Sequence, residues 1–144
     1  MEINAPKEKV WQVLTDNNLT TIWYSAFGEG THAETDWKLG SKALFTDNTG
    51  SGLVSKIIVN KPFESLSVEH QGIVTNGTED YESDIAKLIK GGLENYYLTE
   101  TNGITTLSIE CDMSSDYYDS MSAAWEDALK ILNKLATASE NQPV

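Results

Sequence analysis

Residues 116–138 read DYYDSMSAAWEDALKILNKLATA, and this stretch decides the fold. Tyr117, Met121, Ala124, Trp125, Ala128, Leu132 and Leu135 fall at three- and four-residue spacings. That periodicity predicts one long amphipathic helix from Asp116 to Ala138, with a single apolar stripe. Ser114, Ser115 and Asp116 offer capping oxygens, and Asp116 and Asp119 suit the positive end of the helix. A solitary helix cannot bury such a stripe against itself. It must lie across the sheet that precedes it, a layout that can enclose a cavity.

The upstream sequence supplies the sheet. Residues 1–4 suit a short strand. Pro6 suits the start of a helix running to Leu14, with Val10, Trp11, Val13 and Leu14 on its apolar face. Asp16 and Asn17 break that helix and cap a second one, Asn18 to Tyr24. Strands follow at Thr31–Thr35, Lys42–Thr46, Gly52–Asn60 and Glu64–His70, separated by turns rich in Gly, Asn and Asp. In the last of these, Leu66, Val68 and His70 alternate with Ser65, Ser67 and Glu69. Residues 71–92 are the least regular. Ser83–Ile89 suits a short helix capped by Ser83, with Ile85, Leu88 and Ile89 expected to face inward. Glu94–Thr101 and Ile104–Met113 then form a hairpin around Asn102-Gly103. Glu140–Val144 is expected to be a frayed tail. The expected fold is α+β: a curved antiparallel sheet of about six to seven strands wrapped around the long C-terminal helix, with two short helices after the first strand. This is a helix-grip shape, and one domain over residues 1–144 is expected.

Composition narrows the function. There are 22 acidic residues against 10 basic ones, for a formal charge of -12, and no Arg. Nucleic acid is excluded as a partner, since phosphate affinity comes from Lys and Arg. An anionic membrane would repel the chain, and no stretch approaches the roughly 20 apolar residues of a membrane helix. Met1–Pro6 has no apolar signal core, and the lone Cys111 cannot close an internal disulfide. A cytoplasmic location is expected. The sequons at Asn18 and Asn76 are then chance matches.

The order of several segments carries a family resemblance. Ala5-Pro6-Lys7-Glu8-Lys9-Val10-Trp11 is similar to the opening of START-like domains. Gly52-Leu53-Val54 through Lys61-Pro62 to Leu66 and His70 resembles their central hairpin. Asn76-Gly77-Thr78-Glu79-Asp80, Glu94 to Glu100 and Asn102 to Leu107 resemble one subgroup. That subgroup is the bacterial relatives of the C-terminal domain of the heat-shock protein 90 ATPase activator. The resemblance implies a helix-grip fold with a cavity between sheet and C-terminal helix, and an apolar or amphipathic small-molecule ligand. It also implies a chaperone partner as an alternative. A counterpart of the large N-terminal domain of the eukaryotic activator is not expected within these residues.

No pattern in the sequence carries chemistry as clearly. His32 and His70 are the only histidines, and neither has a metal-ligand or triad spacing. Glu79, Asp80, Glu82 and Asp84 lack the spacing of a calcium loop and suit a solvated turn. Gly28-Glu29-Gly30 and Gly91-Gly92 are not phosphate loops. Cys111 alternates with core residues and suits a small buried hydrophobe. No catalytic residue, metal or cofactor is assigned. A cyclase- or hydrolase-type enzyme would have to use His70 with a pocket tyrosine. The aromatic residues give the stronger lead. Trp23, Phe27, Phe45, His70, Tyr96, Leu98, Tyr118, Met121 and Trp125 are the candidate ligand-binding residues. Tyr and Trp combine apolar area with a polar handle, which suits amphipathic ligands. Leu132 and Leu135 are expected to seal core, leaving Tyr118, Met121 and Trp125 at the cavity.

Overall fold

A computed structural model of the chain describes residues 1–112 and 118–138. The elements run β1 (Glu2–Ile3), α1 (Lys7–Thr15), α2 (Asn17–Tyr24), a 3-10 turn (Ser25–Phe27), β2 (His32–Glu34), β3 (Lys42–Thr46) and β4 (Gly52–Lys61). They continue with β5 (Ser65–Thr75), β6 (Thr78–Asp80), α3 (Asp84–Ile89), β7 (Leu93–Thr101), β8 (Ile104–Cys111) and α4 (Tyr118–Thr137). The capping residues expected at Ser114, Ser115 and Asp116, together with Tyr117 and the tail from Glu140, lie outside the described residues. Among the described residues, no helix is long and apolar enough to cross a membrane.

The strands form one antiparallel sheet in the order β1-β8-β7-β5-β4-β3-β2, with β6 paired to β5. Two irregularities curve it. Ser55 pairs with His70 and Val54 with Gly72, so Gln71 has no partner; Ile57 pairs with Val68 and Val59 with Ser67, so Ile58 has none. Each extra residue bends its strand and tightens the local twist. The bulge at Gln71 also resets the alternation. Leu66, Val68 and His70 face inward before it, and Ile73, aligned with Leu53 and through it with Phe45, shares the inner face after it.

The helices close the concave side. The Trp23 indole N–H donates to the Val13 carbonyl at 3.0 Å and locks α2 against α1. Asp16 accepts from the Asn18 backbone N–H and caps α2. No side chain of its own caps α1; instead Glu100 from β7 accepts from the Lys7 backbone N–H at 2.8 Å. On α4, Ala128, Leu132 and Ala136 are fully buried. Their four-residue spacing puts them in one line, and the two alanines let neighbouring elements approach closely. Leu135 is only partly buried against the core. Met121 and Trp125 are half-buried too, so the apolar stripe loosens toward the start of the helix.

Two expectations from the sequence need correction. Residues 71–92 contain a further strand: β6 folds back on β5 through Asn76-Gly77, whose φ values of 50° and 83° suit a primed hairpin turn. The short helix α3 is present and capped by Ser83. Its face is rotated from the one expected, because Ala86 is buried whereas Ile85 and Leu88 are exposed. The Ser83 cap and the backbone bonds that Gly91 and Gly92 make with His70 fix the helix close to β5. The small Ala86 faces inward at that approach. Val54, Val74 and Ala86 are buried apart from the main core.

Candidate ligand-binding site

A cavity of about 320 Å³ lies between the sheet and the first half of α4. Its apolar wall comes from four directions. Trp23 and Tyr24 arrive from α2, Phe27 from the 3-10 turn, Phe45 and Leu53 from β3 and β4, and Met121 and Trp125 from α4. Trp125 joins these groups. Its ring meets Phe27 edge-on at 4.9 Å between centroids, and lies 6.1 Å from Trp23 and 6.4 Å from Tyr96. Tilted and edge-on rings at these distances attract one another without stacking flat. They leave a faceted wall rather than a filled core.

Gly52 makes room on this wall. A Cβ added there would collide with the Phe45 carbonyl. The β3–β4 hairpin can therefore close at this point only with glycine.

The polar part of the wall comes from β5 and β7. His70 is 9% exposed and lies with its Nδ1 2.7 Å from the Ser55 Oγ. Burial pushes its pKa down, against a smaller opposing pull from Asp112, so the ring is neutral at pH 7. Ser55 is buried and does not line the cavity, so this pair cannot present a hydroxyl nucleophile to a ligand there. Glu94 and Tyr96 point from alternate positions of β7 to the cavity. Glu94 is half-buried and lines the cavity. Burial raises the pKa of its carboxyl, and bonds from Cys111 and Tyr96 offset this only in part. Burial followed by the Glu94 charge raises Tyr24 and Tyr96 well above the usual tyrosine range. Cys111 donates its S–H to Glu94 over 3.5 Å, and burial holds its pKa far up. A thiol in that state is a packing group and a weak donor, not a nucleophile.

The sequence-derived candidates divide clearly. Trp23, Phe27, Phe45, His70, Tyr96, Met121 and Trp125 all line this cavity. Leu98 does not: it is buried in the main core, one inward position further along β7 from Tyr96. Tyr118 opens α4, and its side chain lies outside the described residues. Glu94, Asp47 and Leu53 are among the lining residues that the reading of the sequence passed over. Counting back by two from Leu98 and Tyr96 reaches Glu94, so alternation was the available signal. The other flagged groups sit elsewhere. The His32 ring bridges the Gly30 carbonyl and Glu34, which together raise its pKa. Glu79 pairs with Lys42 at 2.9 Å and accepts from the Tyr81 hydroxyl. Asp80 accepts from the backbone N–H groups of Glu82 and Ser83. Among the described residues, no group of His, Cys, Asp and Glu side chains could hold a metal.

The sequence pattern of the family described as Activator of Hsp90 ATPase homolog 1-like protein matches residues 4–137. The chain belongs to that family. Solved structures agree on the fold of this AHSA1 member. The Aha1 dimer from Colwellia psychrerythraea has a TM-score of 0.73 at 17% identity, covering 98% of this chain and 95% of that one. MLL2253 from Mesorhizobium loti has a TM-score of 0.69 at 16% identity, covering 94% and 93%. CalU16 from Micromonospora echinospora has a TM-score of 0.65 at 19% identity, covering 95% and 73%. No curated protein matches the chain. At these identities the likeness carries the helix-grip fold and nothing about a ligand.

Proposed function

We propose that this AHSA1-family domain holds a small amphipathic molecule, without transforming it, in the cavity under α4. The observation that carries the reading is the cavity itself: about 320 Å³, walled by aromatic rings from four elements, with His70, Glu94 and Tyr96 converging on one side. An apolar cavity with a few convergent polar groups is the usual form of a small-molecule site. The chemistry of the polar groups favours holding over reacting. His70 is neutral and bonded to a buried serine, the tyrosines stay protonated, and the thiol is unreactive. The chaperone-partner expectation rests on the family name alone.

Nitrogen-15 and methyl NMR titration with a panel of lipids, flavonoids and simple aromatic compounds tests the proposal. A binder is expected to move the indole resonances of Trp23 and Trp125 and the Met121 methyl together. A panel in which no compound moves them would sink the proposal.

A further inference from the structure

We infer that the cavity selects a cationic ligand, an organic ammonium compound whose apolar body packs on Trp125 and Phe27 and whose charge is met by Glu94. This rests on the reading of the cavity as a binding site and narrows it to one class of ligand. The charges on the wall point one way. Glu94 and Asp47 line the cavity, and no Lys does; the chain has no Arg. His70, the one basic side-chain type present, is neutral there. An anionic ligand would lose its hydration shell and meet two carboxylates.

Glu94 supplies the second strand of the inference. It is half-buried at the cavity wall, where it accepts from the Cys111 thiol at 3.5 Å and from Tyr96. No Lys or His pairs with it among the described residues, and residues 113–117 and 139–144 contain none. An ionised carboxylate partly withdrawn from water with no cation beside it is costly, because its two neutral partners replace only part of its hydration. A glutamine would fill the same space without that cost. A ligand that brings the missing positive charge turns the penalty into an attraction.

The rings complete the chemistry. Among the described residues, six aromatic side chains line the cavity. The face of an aromatic ring attracts a nearby cation, most strongly when water is excluded, and quaternary ammonium groups are held by such walls. Aromatic rings with a carboxylate beside them suit an ammonium better than a neutral hydrocarbon of the same shape.

The test uses the full chain and three probes: phenyltrimethylammonium, its uncharged isostere tert-butylbenzene, and benzoate. Affinities are measured by NMR titration at pH 8 and about 0.15 M salt, where exposed acidic residues are largely screened. Phenyltrimethylammonium is expected to bind at least about tenfold more tightly than tert-butylbenzene, with benzoate weakest. Both binders should shift the Trp125 and Phe27 resonances. Glu94→Gln is expected to abolish the preference, lowering the phenyltrimethylammonium affinity at least about tenfold relative to that of tert-butylbenzene. The affinity ratio in the unaltered chain needs no variant, so a poorly folding Glu94→Gln protein does not block the test. Equal affinities, or a preference for tert-butylbenzene or benzoate, would overturn the cation inference and leave the cavity reading standing. If none of the three shifts Trp125 and Phe27, both fall.

Discussion

Ser55 and His70 face each other across β4 and β5, with the serine Oγ 2.7 Å from the imidazole Nδ1 and both residues buried. The contact exists because unbroken register from the Ile57–Val68 pair carries Ser55 and His70 to the inner face opposite each other. Ser55→Ala would leave Nδ1 buried without its partner. The expected loss of stability is about 1–3 kcal/mol, the usual cost of orphaning a buried polar group. A urea midpoint that moves by much less would show that water or a rearranged neighbour replaces the hydroxyl.

His70 also sets a pH dependence. Burial lowers its folded-state pKa from the ordinary 6.5. Below pH 6.5 the unfolded chain therefore takes up a proton that the folded chain refuses. Stability falls as pH drops through that value, until the folded ring also protonates. Asp112 opposes the shift and softens the slope. In thermal melts between pH 7.5 and pH 5, His70→Gln should flatten this part of the curve.

Glu94 contributes the opposite slope. Its folded-state pKa lies above the unfolded value. Folding favours the protonated acid relative to the unfolded chain, so that stabilising effect is complete in acid. That effect is lost as pH rises through the folded-state pKa. Glu94→Gln should therefore melt above the unaltered protein at pH 7, and the gap should close toward pH 4. A variant that is less stable at pH 7 would mean that the bonds from Cys111 and Tyr96 outweigh the cost of burying the ionised carboxylate.

Much of the fold was legible in the sequence because its signals are local and repeated. The three- and four-residue spacing of α4, the Asn102-Gly103 turn and the alternation of Leu66, Val68 and His70 each stand in a short window. What was missed depends on contacts the window does not contain. A three-residue strand such as β6 is too short to show alternation, although Asn76-Gly77 announced its turn. The bulge at Gln71 resets a period of two without any mark in composition. Glu94 lies on the inward face that Tyr96 and Leu98 define. A carboxylate at such a position ordinarily reads as solvent-facing, and only the cavity beside it makes that placement workable.

The rotated face of α3 can be checked by substitution. Leu88 is exposed, whereas Ala86 is buried where the helix packs near β5. Leu88→Ser should change stability by no more than about 0.5 kcal/mol. Ala86→Leu should cost about 1–3 kcal/mol, because extra methylenes have no space in a packed contact. The reverse order in chemical denaturation would restore the inward-facing Leu88 that its spacing first suggested.

Trp125 and Leu98 separate cavity from core. Leu98 is buried in the main cluster and touches no cavity space, whereas Trp125 is half-buried and forms the wall. Leu98→Ala should cost about 2–5 kcal/mol, the range for emptying a packed site. Trp125→Leu keeps the helix apolar while removing the ring that meets Phe27, Trp23 and Tyr96. Its stability cost should be smaller, about 1–2 kcal/mol, because part of the ring already faces open space. The two variants should diverge in binding. Any ligand held under α4 should bind the Leu98→Ala protein nearly normally and lose at least about tenfold affinity for Trp125→Leu, since an aromatic anchor at the centre of a pocket carries a large share of its energy. Equal losses in both would mean that affinity follows global stability, and that the space beneath α4 is only a packing defect.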